Sequence, residues 1–252
     1  MARIRPRPTG RITTIREALE RAEPRPTDSA AATAKKNYAE KLSRNIATCI
    51  ANALRPRFPG ILPSETGEQQ ESRARTSKGL KKLDVNYSTL ELGLGLGVSI
   101  KTINFRDAGT RRYTKNYSRN DNELRAESTD YHQRQPYAVL VGVLFLPIDS
   151  CDDAQNSGEN AHSSFGSCVK YFRARANRIT PRDDIDLFER FFVALYEPTG
   201  ERMGETVFFD TMKPPPKNRK PSEEDVLTFD QLIEAITQTY DARNNPRFDW
   251  AD

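Results

Sequence analysis

The segment that decides the fold runs from residue 81 to residue 105, with the sequence KKLDVNYSTLELGLGLGVSIKTINF. Apolar and polar side chains alternate in both halves of it, as expected of β-strands with one buried face. The first half carries Asp84, and the second carries Ser99 and Lys101. A short connection between the halves predicts a hairpin on which these three side chains share the polar face.

Helices and a buried strand are predicted on either side of this hairpin. Apolar residues recur every fourth position from Tyr38 to Leu54, so an amphipathic helix is expected to run to about residue 55. Residues 120–133 predict a second helix. The almost wholly apolar run at 137–146, YAVLVGVLFL, predicts a strand buried on both faces.

Other parts of the chain give weaker signals. One more strand is expected within residues 57–80. The C-terminal part predicts a helix at 164–178, strands at 188–197 and 205–209, an extended Pro-rich segment at 213–221 and a final helix at about 229–240. Residues 1–27 are rich in Pro and Arg and are predicted to form a flexible basic arm, with one short helix marked by the capping-box pair Thr14 and Glu17.

The composition indicates a water-soluble chain with a modest core. The 252 residues are 29% charged and 36% apolar, enough for one large domain. No apolar run approaches the roughly 20 residues needed to span a membrane, and the N-terminus lacks the apolar stretch of a signal peptide. Three cysteines, an odd number without such a signal, favour reduced thiols and a cytoplasmic location.

The charge is unevenly distributed, although the net charge is only +4. Residues 1–26 hold seven Arg against three Glu, and residues 106–119 hold five basic side chains against Asp107 alone. The five are Arg106, Arg111, Arg112, Lys115 and Arg119. Such local basic surface suits a phosphate backbone, so these five are candidate DNA-binding residues. The alternative is a solvated loop and a disordered tail.

The placement of Asp84 against Ser99-Ile100-Lys101 resembles the PD-(D/E)XK nuclease superfamily, which includes most restriction endonucleases. The resemblance covers roughly residues 37–147, where the element order approaches the α-β-β-β-α-β core of that family. Two positions depart from it, because Leu83 stands where Pro is frequent and Ser99 where Asp or Glu is usual. The resemblance implies an α/β, restriction-endonuclease-like fold with a mixed central sheet flanked by helices. Residues 28–252 would form the nuclease domain, with residues 148–252 as a C-terminal extension.

The resemblance also implies a Mg²⁺-dependent DNA endonuclease and assigns roles to its residues. Asp84 and the carbonyl of Ile100 would bind the metal ion, and Lys101 would orient or deprotonate the attacking water. A subset of restriction enzymes has Ser-X-Lys on this strand and takes its second carboxylate from the following helix. Glu123 and Glu127 lie there one turn apart, and Glu127 is preferred.

A further metal-ligand candidate is Glu40, because several restriction enzymes use a Glu of the first helix. It lies about 160–200° around that helix from the apolar stripe, which places it at the edge or outside. The glycines of LGLGLG, residues 93–97, are interpreted as turn residues or as points of close approach to DNA.

The resemblance further implies double-stranded DNA as the partner, a homodimer, and a type II restriction or other anti-phage defence enzyme. Two alternatives stay open. One is a catalytically inactive nucleic-acid-binding module of the same fold, in which Ser99 has removed catalysis. The other is a structural or assembly protein with basic arms.

Overall fold

The computed structural model describes residues 10–70, 73–154 and 161–244. In this part of the chain a six-stranded mixed sheet lies between two layers of helices, and a two-stranded hairpin stands beside it. The predicted mixed α/β architecture, with a central sheet flanked by helices, is therefore confirmed. Among the described residues, no helix is long and apolar enough to cross a membrane.

The helices are α1 (Ile15–Ala22), α2 (Ala32–Leu54), α3 (Tyr117–Arg134), α4 (Ser164–Phe172) and α5 (Phe229–Arg243). The strands are β1 (Arg73–Thr76), β2 (Gly79–Lys82), β3 (Val85–Thr89), β4 (Gly93–Thr102), β5 (Val139–Pro147), β6 (Arg190–Tyr196), β7 (Thr206–Asp210) and β8 (Val226–Leu227). The large sheet has the order β3-β4-β5-β6-β7-β8. Its three central strands, β4, β5 and β6, are parallel, and the outer strands pair antiparallel.

Strand β5 divides the core into two halves. All nine of its residues are buried, as its continuous apolar run predicted. Val141 and Val143 point to a cluster under α1, α2 and α5, whereas Leu140 and Leu144 point to a second cluster under α3 and α4. The sheet therefore has a helical layer on each face. Strands β6 to β8 belong to the expected C-terminal extension, so this region completes the sheet.

The N-terminal segment differs from the predicted flexible arm. Helix α1 has the expected capping box at Thr14 and Glu17, and its apolar face is buried against the first cluster. Asn45 of α2 donates a hydrogen bond to the Ala18 carbonyl at 3.0 Å. Residues from about Ile12 onward are thus packed into the fold. The rest of the predicted arm, residues 1–9, lies outside the described residues.

The strand expected within residues 57–80 does not join the large sheet as predicted. Among the described residues of this stretch, Leu62 alone pairs with the large sheet, through a two-bond bridge to Asn86. The neighbouring amides are used in local turns, because Ile61 bonds to the Phe58 carbonyl and Ser64 to the Gln69 carbonyl. Residues 73–82 form the separate β1–β2 hairpin instead.

The three glycines of LGLGLG all lie within β4, which corrects their interpretation as turn residues. Gly93, with φ of +73°, leaves the turn, but Gly97 is inside the strand. A Cβ at Gly97 would stand 2.8 Å from a methyl carbon of Leu140 and 2.9 Å from one of Leu83. The glycine is needed for close packing beneath the hairpin.

Candidate active site

The end of β4 distributes its side chains between the two faces of the sheet. Val98 and Ile100 are buried in the cluster under α1, α2 and α5. Ser99 and Lys101 therefore point to the opposite face, where α3 packs. Asp84 immediately precedes β3, whose pairing with β4 ends at Val85 and Val98. One step further along that register, Asp84 stands opposite Ser99 and shares its face.

Hydrogen bonds join two of these side chains to the middle of α3. Asp84 Oδ2 accepts the backbone N–H of Ile100 at 2.7 Å. Ser99 Oγ donates to Glu127 Oε1 at 2.7 Å, and Lys101 Nζ donates to Glu123 Oε2 at 3.2 Å. The structure thus brings together the predicted residues of the hairpin and both carboxylates of the following helix.

The bond between Asp84 and Ile100 follows from the backbone pattern of β4. Ile103 donates its N–H to Phe145 of β5, so alternate residues back along the strand face β5. The backbone N–H of Ile100 faces the opposite side, where β3 would continue if its pairing with β4 did not end at Val85 and Val98. The Asp84 carboxylate takes the place of the missing strand partner. The Ile100 carbonyl points to the same side as its N–H, beside Asp84.

The two inner carboxylates, Asp84 and Glu127, both have raised pKa values. Burial raises the pKa of Glu127 to about 7, and the charge of Asp84 adds to this, while Lys101 and Ser99 oppose it. Burial also raises the pKa of Asp84, against the opposing hydrogen bond from Ile100 and the charge of Lys101. Two half-buried acids with raised pKa values beside one ammonium form a site in which a further cation would be favourable.

Lys101 is held in its charged form. Burial alone would lower the pKa of its ammonium, but the carboxylates of Glu127, Asp84 and Glu123 outweigh that effect and raise it. A lysine that stays protonated near neutral pH is a hydrogen-bond donor and a positive charge rather than a base. Of the two roles predicted for Lys101, the structure favours orienting a water over deprotonating it.

Glu123 lies at the rim of the site, and Glu127 lies inside it. The side chain of Glu123 is 42% exposed and bonds to Arg119 at 2.9 Å as well as to Lys101. Burial would raise the pKa of Glu123, but the hydrogen bonds and charges of Arg119 and Lys101 lower it. Glu127 is the half-buried residue coupled to Asp84. This depth difference favours Glu127 as the second carboxylate.

The residues present fit a hard divalent cation. Asp84 Oδ1 and Glu127 Oε2 accept no hydrogen bond from any described residue. They belong to two neighbouring acids, and the charge of Asp84 raises the pKa of Glu127. With the Ile100 carbonyl they offer three oxygen donors. Mg²⁺ is commonly held by one or two carboxylates and keeps several waters. Within residues 10–70, 73–154 and 161–244, no group of three or more His, Cys, Asp or Glu side chains is arranged for a metal ion. The carbonyl would thus be an essential part of the donor set.

The structure does not bring Glu40, a predicted metal-ligand candidate, to the other predicted site residues. It lies on α2, which packs on the face of the sheet opposite to Ser99 and Lys101. Its side chain is half exposed and stands 3.8 Å from the Lys36 ammonium and 3.9 Å from the Arg44 guanidinium. The apolar stripe of α2 faces the sheet, so Glu40 faces solvent.

The basic loop at 106–119 divides into structural and exposed side chains. Arg106 bonds to Asp149 at 2.6 Å and stacks over Tyr113. Arg112 donates to the His162 carbonyl and lies 3.7 Å from the buried carboxylate of Asp153. These two arginines fasten the loop to the protein. Three of the predicted DNA-binding residues are left exposed, namely Arg111, Lys115 and Arg119.

Replacing Arg112 by glutamine is expected to lower the free energy of unfolding by roughly 1–3 kcal/mol, because Asp153 loses its nearest cation while its side chain stays buried. Arg111→Gln is the matched control. Arg111 is exposed and has no ion pair with a described residue, so its effect should stay within about 0.5 kcal/mol. Urea denaturation measures both. Equal effects would show that Arg112 is not a fastening residue.

Comparison with known proteins adds no relative. No family model, no curated protein and no solved structure matches this chain. The arrangement of its side chains must therefore carry the functional argument.

Proposed function

We propose that this protein is a metal-dependent endonuclease that hydrolyses phosphodiester bonds in DNA. The observation that carries the proposal is the convergence of Asp84, Glu127 and Lys101, two coupled carboxylates and one charged amine, at the end of β4. Hydrolysis of a phosphodiester needs an oriented water, neutralisation of developing negative charge and help for the leaving oxygen. This donor set suits that chemistry, and its pattern is the one that resembles the PD-(D/E)XK superfamily.

Asp84, Glu127 and the Ile100 carbonyl would hold Mg²⁺, which when bound would supply charge neutralisation and an acidified water. The Lys101 ammonium would donate hydrogen bonds to the attacking water and to a phosphate oxygen, adding positive charge where negative charge develops. Ser99 orients Glu127 through its 2.7 Å hydrogen bond. This bond explains how a serine is accommodated where the family usually has an acid, because the acid arrives from α3.

We propose duplex DNA as the substrate and, from the resemblance, restriction or another anti-phage defence as the setting. The exposed side chains Arg111 and Lys115 lie on the loop between β4 and α3, and the exposed Arg119 lies in the first turn of α3, next to the site. They would contact the phosphate backbone. A homodimer would bring one site to each strand of the duplex.

The second candidate is an inactive nucleic-acid-binding module of the same fold. Its support is Ser99, which leaves the catalytic strand with one acid fewer than the family pattern. A cleavage assay in vitro distinguishes the two candidates, because both would bind DNA and only the nuclease would cut it.

The deciding experiment incubates the full chain with supercoiled plasmid and with phage DNA, in Mg²⁺ and in chelator. Nicked or linear products that require Mg²⁺ are expected. Cleavage that continues in chelator would contradict the metal-dependent mechanism. DNA binding without cleavage in Mg²⁺ or Mn²⁺ would favour the inactive module.

A further inference from the structure

The β1–β2 hairpin is the most basic element of the described chain. Its ten residues, RARTSKGLKK, hold five basic side chains and no acidic one. They are Arg73, Arg75, Lys78, Lys81 and Lys82. The hairpin does not belong to the large sheet. Packing of the core does not explain why this hairpin carries so many basic side chains or why it stands apart from the large sheet.

The hairpin has an anchored inner face. Ala74 and Thr76 are buried, and their cross-strand partners are Lys81 and Gly79. Lys81 forms a short ion pair with Asp130, a side chain that is only 1% exposed. Burial alone would raise the pKa of Asp130, but hydrogen bonds from Lys81 and Lys78 outweigh it and lower that pKa. The buried carboxylate of Asp130 thus forms ion pairs with two of the five basic side chains, Lys78 and Lys81.

Two backbone contacts complete the anchor and fix its position. Ser77 donates its N–H to the Asp130 carbonyl at 3.1 Å, and the Tyr131 hydroxyl donates to the Lys81 carbonyl at 2.9 Å. Asp130 and Tyr131 lie on α3, one turn beyond Glu127. At its other end the hairpin reaches Asp84 through a single residue, Leu83. The hairpin is therefore tied on both sides to elements that carry the candidate active site.

The outer face carries three further basic side chains. Arg73 and Arg75 of β1 and Lys82 of β2 are exposed and alternate with the anchored positions, and Leu80, 61% exposed, lies opposite Arg75. Beside this face a groove of about 590 Å³ runs between the hairpin, the β3–β4 turn and the end of α3. Among the described residues that line it are Arg73, Arg75 and Arg134, together with one acid, Glu91. This surface fits a polyanion.

We infer that the outer face of the β1–β2 hairpin binds the phosphate backbone of duplex DNA next to the scissile bond. The inference rests on the proposed function for the identity of the polyanion. The hairpin lies beside the proposed site, because Leu83 joins it to Asp84 and Lys81 pairs with Asp130 of α3. Arg73, Arg75 and Lys82 are the phosphate contacts.

The test compares two triple variants of the full chain that lose the same charge. Arg73→Gln/Arg75→Gln/Lys82→Gln removes the outer face of the hairpin. Lys36→Gln/Lys41→Gln/Arg44→Gln, the matched control, removes three exposed cations of α2 on the opposite face of the sheet. Affinity for a labelled DNA duplex is measured in chelator over a series of salt concentrations, with melting curves to verify folding.

The hairpin variant is expected to bind at least about tenfold more weakly near 0.1 M salt. Its salt slope should be flatter by about 2.7, since each of the three lost phosphate contacts removes about 0.9. The control variant should stay within about twofold of the unaltered protein. Equal affinity of the hairpin variant, an equal loss in both variants, or a hairpin-dependent affinity for RNA alone would overturn the inference.

Cleavage assays separate this inference from the proposed function. If the protein binds duplex DNA through the hairpin but does not cut in Mg²⁺ or Mn²⁺, the nuclease proposal fails and the hairpin inference stands. If it cuts and the hairpin variant binds and cuts normally, the nuclease proposal stands and the hairpin inference fails.

Discussion

Replacing Asp84 by asparagine is expected to reduce DNA cleavage in Mg²⁺ at least about a thousandfold and to leave the fold intact. The amide oxygen of asparagine still accepts the Ile100 N–H, so the substitution removes charge and little else. Loss of one group that acts on the transition state commonly costs two to four orders of magnitude. Cleavage of plasmid under single-turnover conditions measures the rate, and thermal melting verifies the fold.

Lys101→Met tests the amine of the same site and should reduce cleavage by a similar factor. The Lys101 ammonium interacts electrostatically with all three carboxylates, Asp84, Glu123 and Glu127, and methionine removes this charge. Glu40→Gln is the matched control. It removes a carboxylate from the opposite face of the sheet, and activity should stay within about twofold. Full activity in both Asp84→Asn and Lys101→Met would place the chemistry elsewhere in the molecule.

Local periodicity predicted the elements that hold this site. The alternation around Asp84, Ser99 and Lys101 identified strands, and the continuous apolar run identified β5. Both patterns depend on which face of a strand is buried, which is a property of a few successive residues. The face shared by the three polar side chains followed directly from that period.

Local periodicity could not predict ion pairs between residues that are distant in the sequence. Arg106 and Arg112 look like free cations in the sequence, yet their partners Asp149 and Asp153 lie about 40 residues further along. Asp130 gives no sign in the sequence that it is buried under the β1–β2 hairpin. A charged side chain is assigned to solvent by default, and only tertiary contacts show that it is used inside the protein.

The choice between Glu123 and Glu127 shows the same limit on a smaller scale. One helical turn separates them, so both point toward β4. Their depths differ because of the way α3 packs across the sheet, and depth sets the pKa of Glu127 near 7 while Glu123 stays paired with Arg119 at the surface. Helical periodicity places both residues on one face and gives no information on depth.

Glu127→Gln is expected to stabilise the protein in the absence of metal at pH 8, by roughly 1–2 kcal/mol after allowance for partial exposure. The pKa of Glu127 is about 7 in the folded protein against 4.5 for the free side chain. The folded state therefore binds more protons between these values, and stability falls as pH rises from about 4.5 to 7. Above pH 7 the full cost of the buried charge remains, and glutamine removes it while still accepting the Ser99 hydrogen bond.

Metal binding should show the opposite dependence on pH. A divalent cation needs the ionised Asp84–Glu127 pair, so its affinity should fall about tenfold per pH unit below pH 7 and level off above it. Ca²⁺ titrations followed by the rise in melting temperature measure this without cleavage. In Glu127→Gln both the rise and its pH dependence should be largely lost, whereas Glu123→Gln should keep both, because Glu123 lies at the rim. A Ca²⁺ effect lost in Glu123→Gln but kept in Glu127→Gln would show that the metal ion is held at the surface of α3, outside the buried pair.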